Sequence, residues 1–406
     1  MFRMSQPLPR LRMNLDFMPS PVEDRPGLLI RDSFQYSDAT LIIPPVLVRC
    51  LQCFDGKQTA LDLREMLVRI TGELDVGKIE QHLAATLSGA GFLEDESFER
   101  MKSERQRAFV ESPVREPSHA GAAYPDNREE LQRTLAEYMT GGPPEATDGL
   151  VAIAAPHVSP FGGWETYRAA YSALGPQHKD RTFVILGTSH YGEPDHFGLT
   201  RKRFVTPFGE AVTDMDLLEQ LATEPAAIME DYCHSVEHSI EFQVLFLQHI
   251  YGPEVRILPI LCGSYANSIY LGGTPESNDG VKSFLGRLGE IAAKESERLL
   301  WVLGIDMAHM GQRYGDERNA YADRAEMLEV AERDRERIDR VNAGDARGFW
   351  EMVQENRDDL KWCGSSPLYT FLKANPGVRG TTRGYQQWNI DEGSVVSFAA
   401  LSFTGR

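Results

Sequence analysis

The sequence is poor in cysteine: five residues in 406, an odd number with no regular spacing. That excludes the disulfide framework of small secreted domains, and Cys50, Cys53, Cys233 and Cys262 read as buried, reduced thiols. Cys50 and Cys53 form a CxxC, but they lie in an apolar run of helical spacing (46–54) with no second pair nearby, so no metal or redox role is assigned to them. Positive charge is also scarce, with 42 Lys and Arg against 60 Asp and Glu and a net charge of −18. This balance argues against nucleic acid or an anionic membrane surface as the main partner. No stretch approaches the roughly 18–20 apolar residues of a membrane span. Residues 1–19 mix Arg with apolar side chains and lack a small-residue cleavage site, so no secretory signal is expected and the chain reads as cytoplasmic. Nothing repeats at a fixed period.

What is present is an ordinary globular composition, 42% hydrophobic and 25% charged, in a chain long enough for more than one domain. Residues 1–96 read as a small α+β module. Segments 28–31 and 40–43 are short strands, and Pro44-Pro45 opens a helix over 46–54. Thr59 caps a second helix over 61–70, a third spans 76–91, and Phe92-Leu93 closes on an apolar strand. That succession predicts a winged-helix-like arrangement. Its "CFDGKQTALDLREML" and "LAATLSGAGFLED" segments resemble the PqqD-like peptide-recognition modules. The resemblance implies a leader peptide or partner protein as ligand; a docking or dimerisation role, and with it a homodimer, stays open beside it. The segment is not basic, so DNA is not expected there. Residues 97–117 read as a solvated helix and linker.

From 118 to 406 the pattern changes to strands alternating with helices. It predicts an α/β domain whose mostly parallel sheet carries helices on both faces. Strands are expected over 150–156, 183–189, 255–261, 299–305 and 394–403, and helices over 164–174, 216–221, 240–249, 281–294, 316–343 and 347–354. His157 and His190 directly follow the first two strands, and Asp306 and His309 follow the strand at 299–305. In open α/β sheets that carboxyl edge is where ligands bind. Three strand exits that all carry His are hard to explain by packing, because burying an imidazole without a partner is costly. Glu237, His238 and Glu241 cluster at the start of a helix, and Cys363 precedes another helix begun by Ser366-Pro367.

"HAGAAYP", "IAAPHVSPFGG", "VILGTSHYG", "VEHSIEFQ", "GIDMAHMGQRYGD" and "CGSSP" occur in the order and spacing of the Memo family (AmmeMemoRadiSam system protein B). The resemblance covers nearly all of residues 118–406. That family is similar to the class III extradiol dioxygenases, whose non-haem iron is held by two His and a carboxylate. The resemblance implies that His157 and His190 are metal ligands, with Cys363 in the carboxylate's place. It sets His309 at the acid/base position, with Asp306 and His238 facing the same pocket. Two departures reshape that pocket: His157-Val158-Ser159 replaces the usual His-Ala-Gly, and Tyr191 replaces a His.

Two imidazoles and a thiolate leave coordination positions open, and the soft thiolate favours copper(I), zinc or iron(II) over magnesium or calcium. The expected function is therefore a dioxygenase-like, iron- or copper-dependent oxidoreductase acting on a small molecule or a peptide. A non-catalytic metal- or peptide-binding carrier is the second reading. Zinc-dependent hydrolysis, with Glu237 or Glu241 as base, is the third.

Overall fold

A computed structural model describes residues 6–141 and 147–405, and the chain falls into two compact units, Met1–Glu111 and Ser112–Arg406. In the first unit, β1 (Asp16–Pro19), β2 (Leu28–Arg31) and β3 (Thr40–Ile43) form an antiparallel sheet in that order. β1 was not expected, because a four-residue edge strand ending in Pro carries no apolar run. Three helices follow: α1 (Ala60–Thr71), α2 (Gly77–Gly89) and α3 (Glu96–Glu111). Thr59 and Asp62 form a reciprocal capping box at the start of α1, and Gly72 ends it at φ 74°, a left-handed position that suits glycine.

Two local expectations are corrected. The helix over 46–54 is one α-turn (Pro45–Val48) that tightens into a 3₁₀ helix (Arg49–Cys53). The terminal strand at Phe92-Leu93 reduces to a single bridge between Leu11 and Leu93. The helix read as solvated, α3, packs Phe98 beneath Arg12, whose guanidinium sits 4.0 Å from the ring and pairs with buried Asp32 at 2.9 Å. That ion pair and ring contact tie α3 into the first unit. Cys50 and Cys53 lie in this unit's core, and burial pushes the Cys53 thiol up to about 11, as expected of inert thiols.

The second unit is built on four parallel strands, β4 (Leu150–Ala155), β5 (Thr182–Thr188), β6 (Arg256–Cys262) and β7 (Leu299–Gly304), in the spatial order β4-β7-β5-β6. Their nearly continuous apolar runs follow from burial on both faces. On one face lie α4 (Pro160–Tyr171) and α5 (Glu241–Tyr251), which contribute Tyr167, Tyr171, Phe242 and Phe246 to the core. On the other lie α6 (Asp279–Lys294), α7 (Glu326–Asn342) and α8 (Ser365–Ala374), which contribute Phe284, Leu288, Ile338, Leu368 and Phe371.

The sheet is mixed rather than parallel at one side. β8 (Arg379–Asp391) pairs antiparallel along β9 (Ser394–Thr404), which itself runs antiparallel to β4. β8 left no signal because it is a polar edge strand, half-exposed along its length. Short strands, among them His309–Gly311 beside β9, bring the sheet to twelve strands among the described residues. The helix expected over 316–343 begins only at Glu326. Asp316 accepts from the Gly311 amide and Lys361 instead, and Asp323 and Ala325 adopt left-handed φ values of 58° and 44°. No helix among the described residues is long and apolar enough to cross a membrane.

Candidate metal centre

The strand order places the site. β4, β7 and β5 are adjacent, so His157, Asp306 and His190 leave the sheet side by side at its carboxyl edge. Hydrogen bonds fix how each one leaves. The His157 amide donates to Asp306 Oδ1 at 2.9 Å, which ties the first exit loop to the second. The loop before α8 is stitched to two exits: the Gly364 amide donates to the Asp306 carbonyl (3.0 Å), and Thr188 Oγ1 donates to the Cys363 carbonyl (3.0 Å). Only glycine fits at 364, since a Cβ there would meet the Asp306 oxygen at 2.6 Å and Ile305 Cβ at 2.7 Å.

Each histidine ring is then oriented. His157 Nδ1 lies 3.0 Å from the Gly304 carbonyl, to which it donates, so Nε2, 3.3 Å from Cys363 Sγ, is the nitrogen left to coordinate a metal. His190 Nδ1 lies 3.0 and 3.1 Å from the two Glu237 oxygens, freeing its Nε2 in the same way. One ligating atom each from His157, His190 and Cys363 lies within 4.8 Å of the others. His190, Glu237 and His238 form a second group of similar spacing. There, however, the Glu237 oxygens already accept from the amides of His190 (2.9 Å), His238 (2.9 Å) and Ser239 (3.2 Å) as well as from His190 Nδ1. The second group is therefore a satisfied hydrogen-bond cluster, and the first is the set whose donors face one another.

The surrounding side chains set the charge. Burial pushes the Cys363 thiol up, but His157 and His309 outweigh it and hold it well below its usual value, as a thiolate. Burial pushes His157 down, and Asp306 and Cys363 reverse this and carry it up to about 9. Burial drives His238 well below the usual histidine range against the pull of Glu237, so its ring is neutral. That ring stacks on His190 at 5.1 Å and 7° and stands 5.1 Å from His157. His309 is fixed by the carbonyls of Met307 (2.8 Å) and Lys361 (3.1 Å) through Nδ1, and its contact with Cys363 helps raise it above its ordinary value against burial. His157, His190, Cys363, Asp306, His238 and His309 thus all gather at this one edge.

Two carboxylates take roles other than the one the sequence suggests. Glu237, read as a candidate base, is instead the buried carboxylate that orients His190. Glu241, the other candidate, is fully buried on Arg115 and Tyr124 and also accepts from the His119 amide (3.1 Å) and Ser118 Oγ (3.2 Å). The "HAGAAYP" segment therefore closes on α5 and not on the three donors. A main-chain acceptor such as Gly304 and a carboxylate satisfied by amides leave no mark in a sequence.

The family profile described as Memo-like protein matches residues 115–402, starting at the arginine that pairs with Glu241. The chain belongs to the Memo family. Similar proteins include a MEMO1 family protein of Aquifex aeolicus, 27% identical over 387 residues, 92% of this chain and 95% of that one. A MEMO1 family protein of Thermococcus kodakarensis is 31% identical over 268 residues, 64% of this chain and 86% of that one. Another, from Thermus thermophilus, is 28% identical over 268 residues, 64% and 74% of the two chains. The Aquifex alignment is longer than the second unit, so it extends beyond the Memo match into the N-terminal unit.

The Arg115–Glu241 pair has a measurable consequence for this Memo domain. Removing one partner of a buried ion pair costs about 3–5 kcal/mol, so Arg115→Ala should lower the urea midpoint substantially. Burial raises Glu241, but Arg115 and His119 outweigh it and hold it well below the usual carboxylate range. A carboxylate depressed in the folded state stabilises above its unfolded value of about 4.3 and loses that contribution as pH falls below it. Wild-type stability should therefore drop from pH 5 to pH 3 more steeply than that of Arg115→Ala. Parallel curves would contradict the assignment.

Proposed function

We propose that His157, His190 and Cys363 hold one iron or copper ion and that the chain is a metal-dependent redox enzyme acting on a small molecule or a peptide. The observation that supports this is the convergence of two Nε2 atoms and a thiolate, each imidazole tied at its other nitrogen. The donor set suits the ion: a soft thiolate with two borderline imidazoles favours copper(I), iron(II) or zinc, and three protein ligands leave room for substrate. Bound there, the ion would supply a one-electron couple beside the substrate.

The chain's own residues do the rest. Glu237 and the Gly304 carbonyl hold the rings in one tautomer, as partners of metal-bound histidines generally do. His309, anchored through Nδ1, can take or give a proton at Nε2 next to Cys363. Asp306 braces the His157 amide and lies 3.4 Å from His157 Nε2. The neutral His238 ring forms one wall. Zinc-dependent hydrolysis is disfavoured, because Glu237 and Glu241 are both fully engaged as acceptors and neither is free to activate water.

Oxygen uptake separates enzyme from carrier. Protein reconstituted anaerobically with iron(II) or copper(I) and given a mild reductant should consume dioxygen faster than the same free metal, and the zinc form should not. Uptake no faster than free metal for both ions would favour the carrier.

A further inference from the structure

We infer that Asp334 is a positioning residue that holds the Cys363 and His309 segments in place for the metal without touching either side chain; the inference rests on the metal reading above. Asp334 sits on α7, which otherwise reads as a run of surface charges, yet it is fully buried. Its carboxylate accepts from Trp362 Nε1 (2.6 Å), Tyr385 OH (2.7 Å) and Ser397 Oγ (2.6 Å). Two of these lead to the site. Trp362 directly precedes Cys363. Ser397 Oγ in turn accepts from the Ala308 amide (2.9 Å), one residue before His309, and the Ser397 amide donates to the Ala308 carbonyl (2.9 Å).

The same face of α7 grips the chain just upstream. Arg333 holds Asp359 at 2.5 and 3.0 Å, and Arg337 holds Asp358 at 2.8 Å. Around these anchors Asn356, Arg357, Asp358 and Lys361 all adopt left-handed φ values near 54°. Non-glycine residues stay in that region only when their surroundings over-determine them, and such strain gathers at functional sites. A buried carboxylate is costly unless its acceptors are filled, and an apolar side chain would pack there without that penalty. The arrangement is accounted for if its purpose is to fix where Cys363 and His309 stand.

Cobalt(II) titration of the metal-stripped full chain tests this, because the thiolate-to-cobalt charge-transfer band reports the Cys363 bond directly. Trp362→Phe keeps an aromatic ring but cuts the link to Asp334. It should weaken cobalt affinity roughly tenfold or more, the scale seen for outer partners of metal ligands, and diminish the band. Asp334→Asn should act in the same direction. Tyr385→Phe removes an equivalent donor from Asp334 that leads to neither site segment, and should leave affinity and band at wild-type values. If Trp362→Phe and Tyr385→Phe give the same affinity and band, the inference is overturned. Should Trp362→Phe fail to fold, Asp334→Asn against Tyr385→Phe decides it in the same way. A wild-type chain that binds no cobalt overturns the metal reading and this inference together, whereas wild-type binding that is unmoved in Trp362→Phe overturns the inference alone.

Discussion

Cys363→Ala is expected to remove the thiolate-to-metal charge-transfer band and to weaken cobalt(II) or copper(I) binding by more than 100-fold. That exceeds the roughly 10–100-fold loss typical when only an outer partner is changed. The reasoning is chemical. Cys363 is the one soft anionic donor in the set, and its Sγ lies 3.3 Å from His157 Nε2. Two imidazoles alone make a much weaker site. The fold should survive, because Cys363 is only part-buried and its loop is anchored through main-chain atoms that Ala keeps, the Cys363 carbonyl and the Gly364 amide. Circular dichroism and thermal melting would check that. Wild-type affinity in a folded Cys363→Ala protein would remove the thiolate from the account.

Glu237→Gln carries the second large effect. The change is isosteric and takes away one charge, but the consequences are several. Both oxygens of Glu237 now accept hydrogen bonds, from His190 Nδ1 and from three main-chain amides. Gln offers one oxygen and turns an NH₂ toward the remaining donors, leaving at least one buried N–H without a partner, at about 1–3 kcal/mol each. His190 also loses the anion that sets its tautomer. Metal affinity should fall about 10–100-fold and stability should fall with it. Glu241→Gln supplies the comparison: it disturbs the Arg115 cluster, so stability should fall while metal affinity, measured by chelator competition, stays near wild type. Equal metal affinity in the two variants would mean that Glu237 does not orient the ligand.

Much of this arrangement was legible in the sequence for physical reasons. Strands buried on both faces must be continuously apolar, so β4, β5, β6 and β7 stood out, and each site residue was marked by following one of them or a helix start. Thr59 was readable as a cap because a side chain that satisfies orphan amides sits at a fixed offset from the helix. What stayed hidden was pairing that depends on tertiary context. β8 has no apolar run, because its few apolar side chains, Tyr385, Trp388 and Ile390, are scattered among polar ones along a half-exposed strand. Glu237 and Glu241 look alike in sequence and differ only in which amides and cations reach them. Asp334 is lost among the charges of α7, and only the fold turns it inward toward Trp362 and Ser397.

The metal content of anaerobically purified protein tests the central claim most directly. About one equivalent of iron or copper in the wild-type chain, absent from His157→Ala and from Cys363→Ala, is the predicted result. A wild-type chain that holds no metal under any purification condition, or variants that retain it in full, would contradict the account.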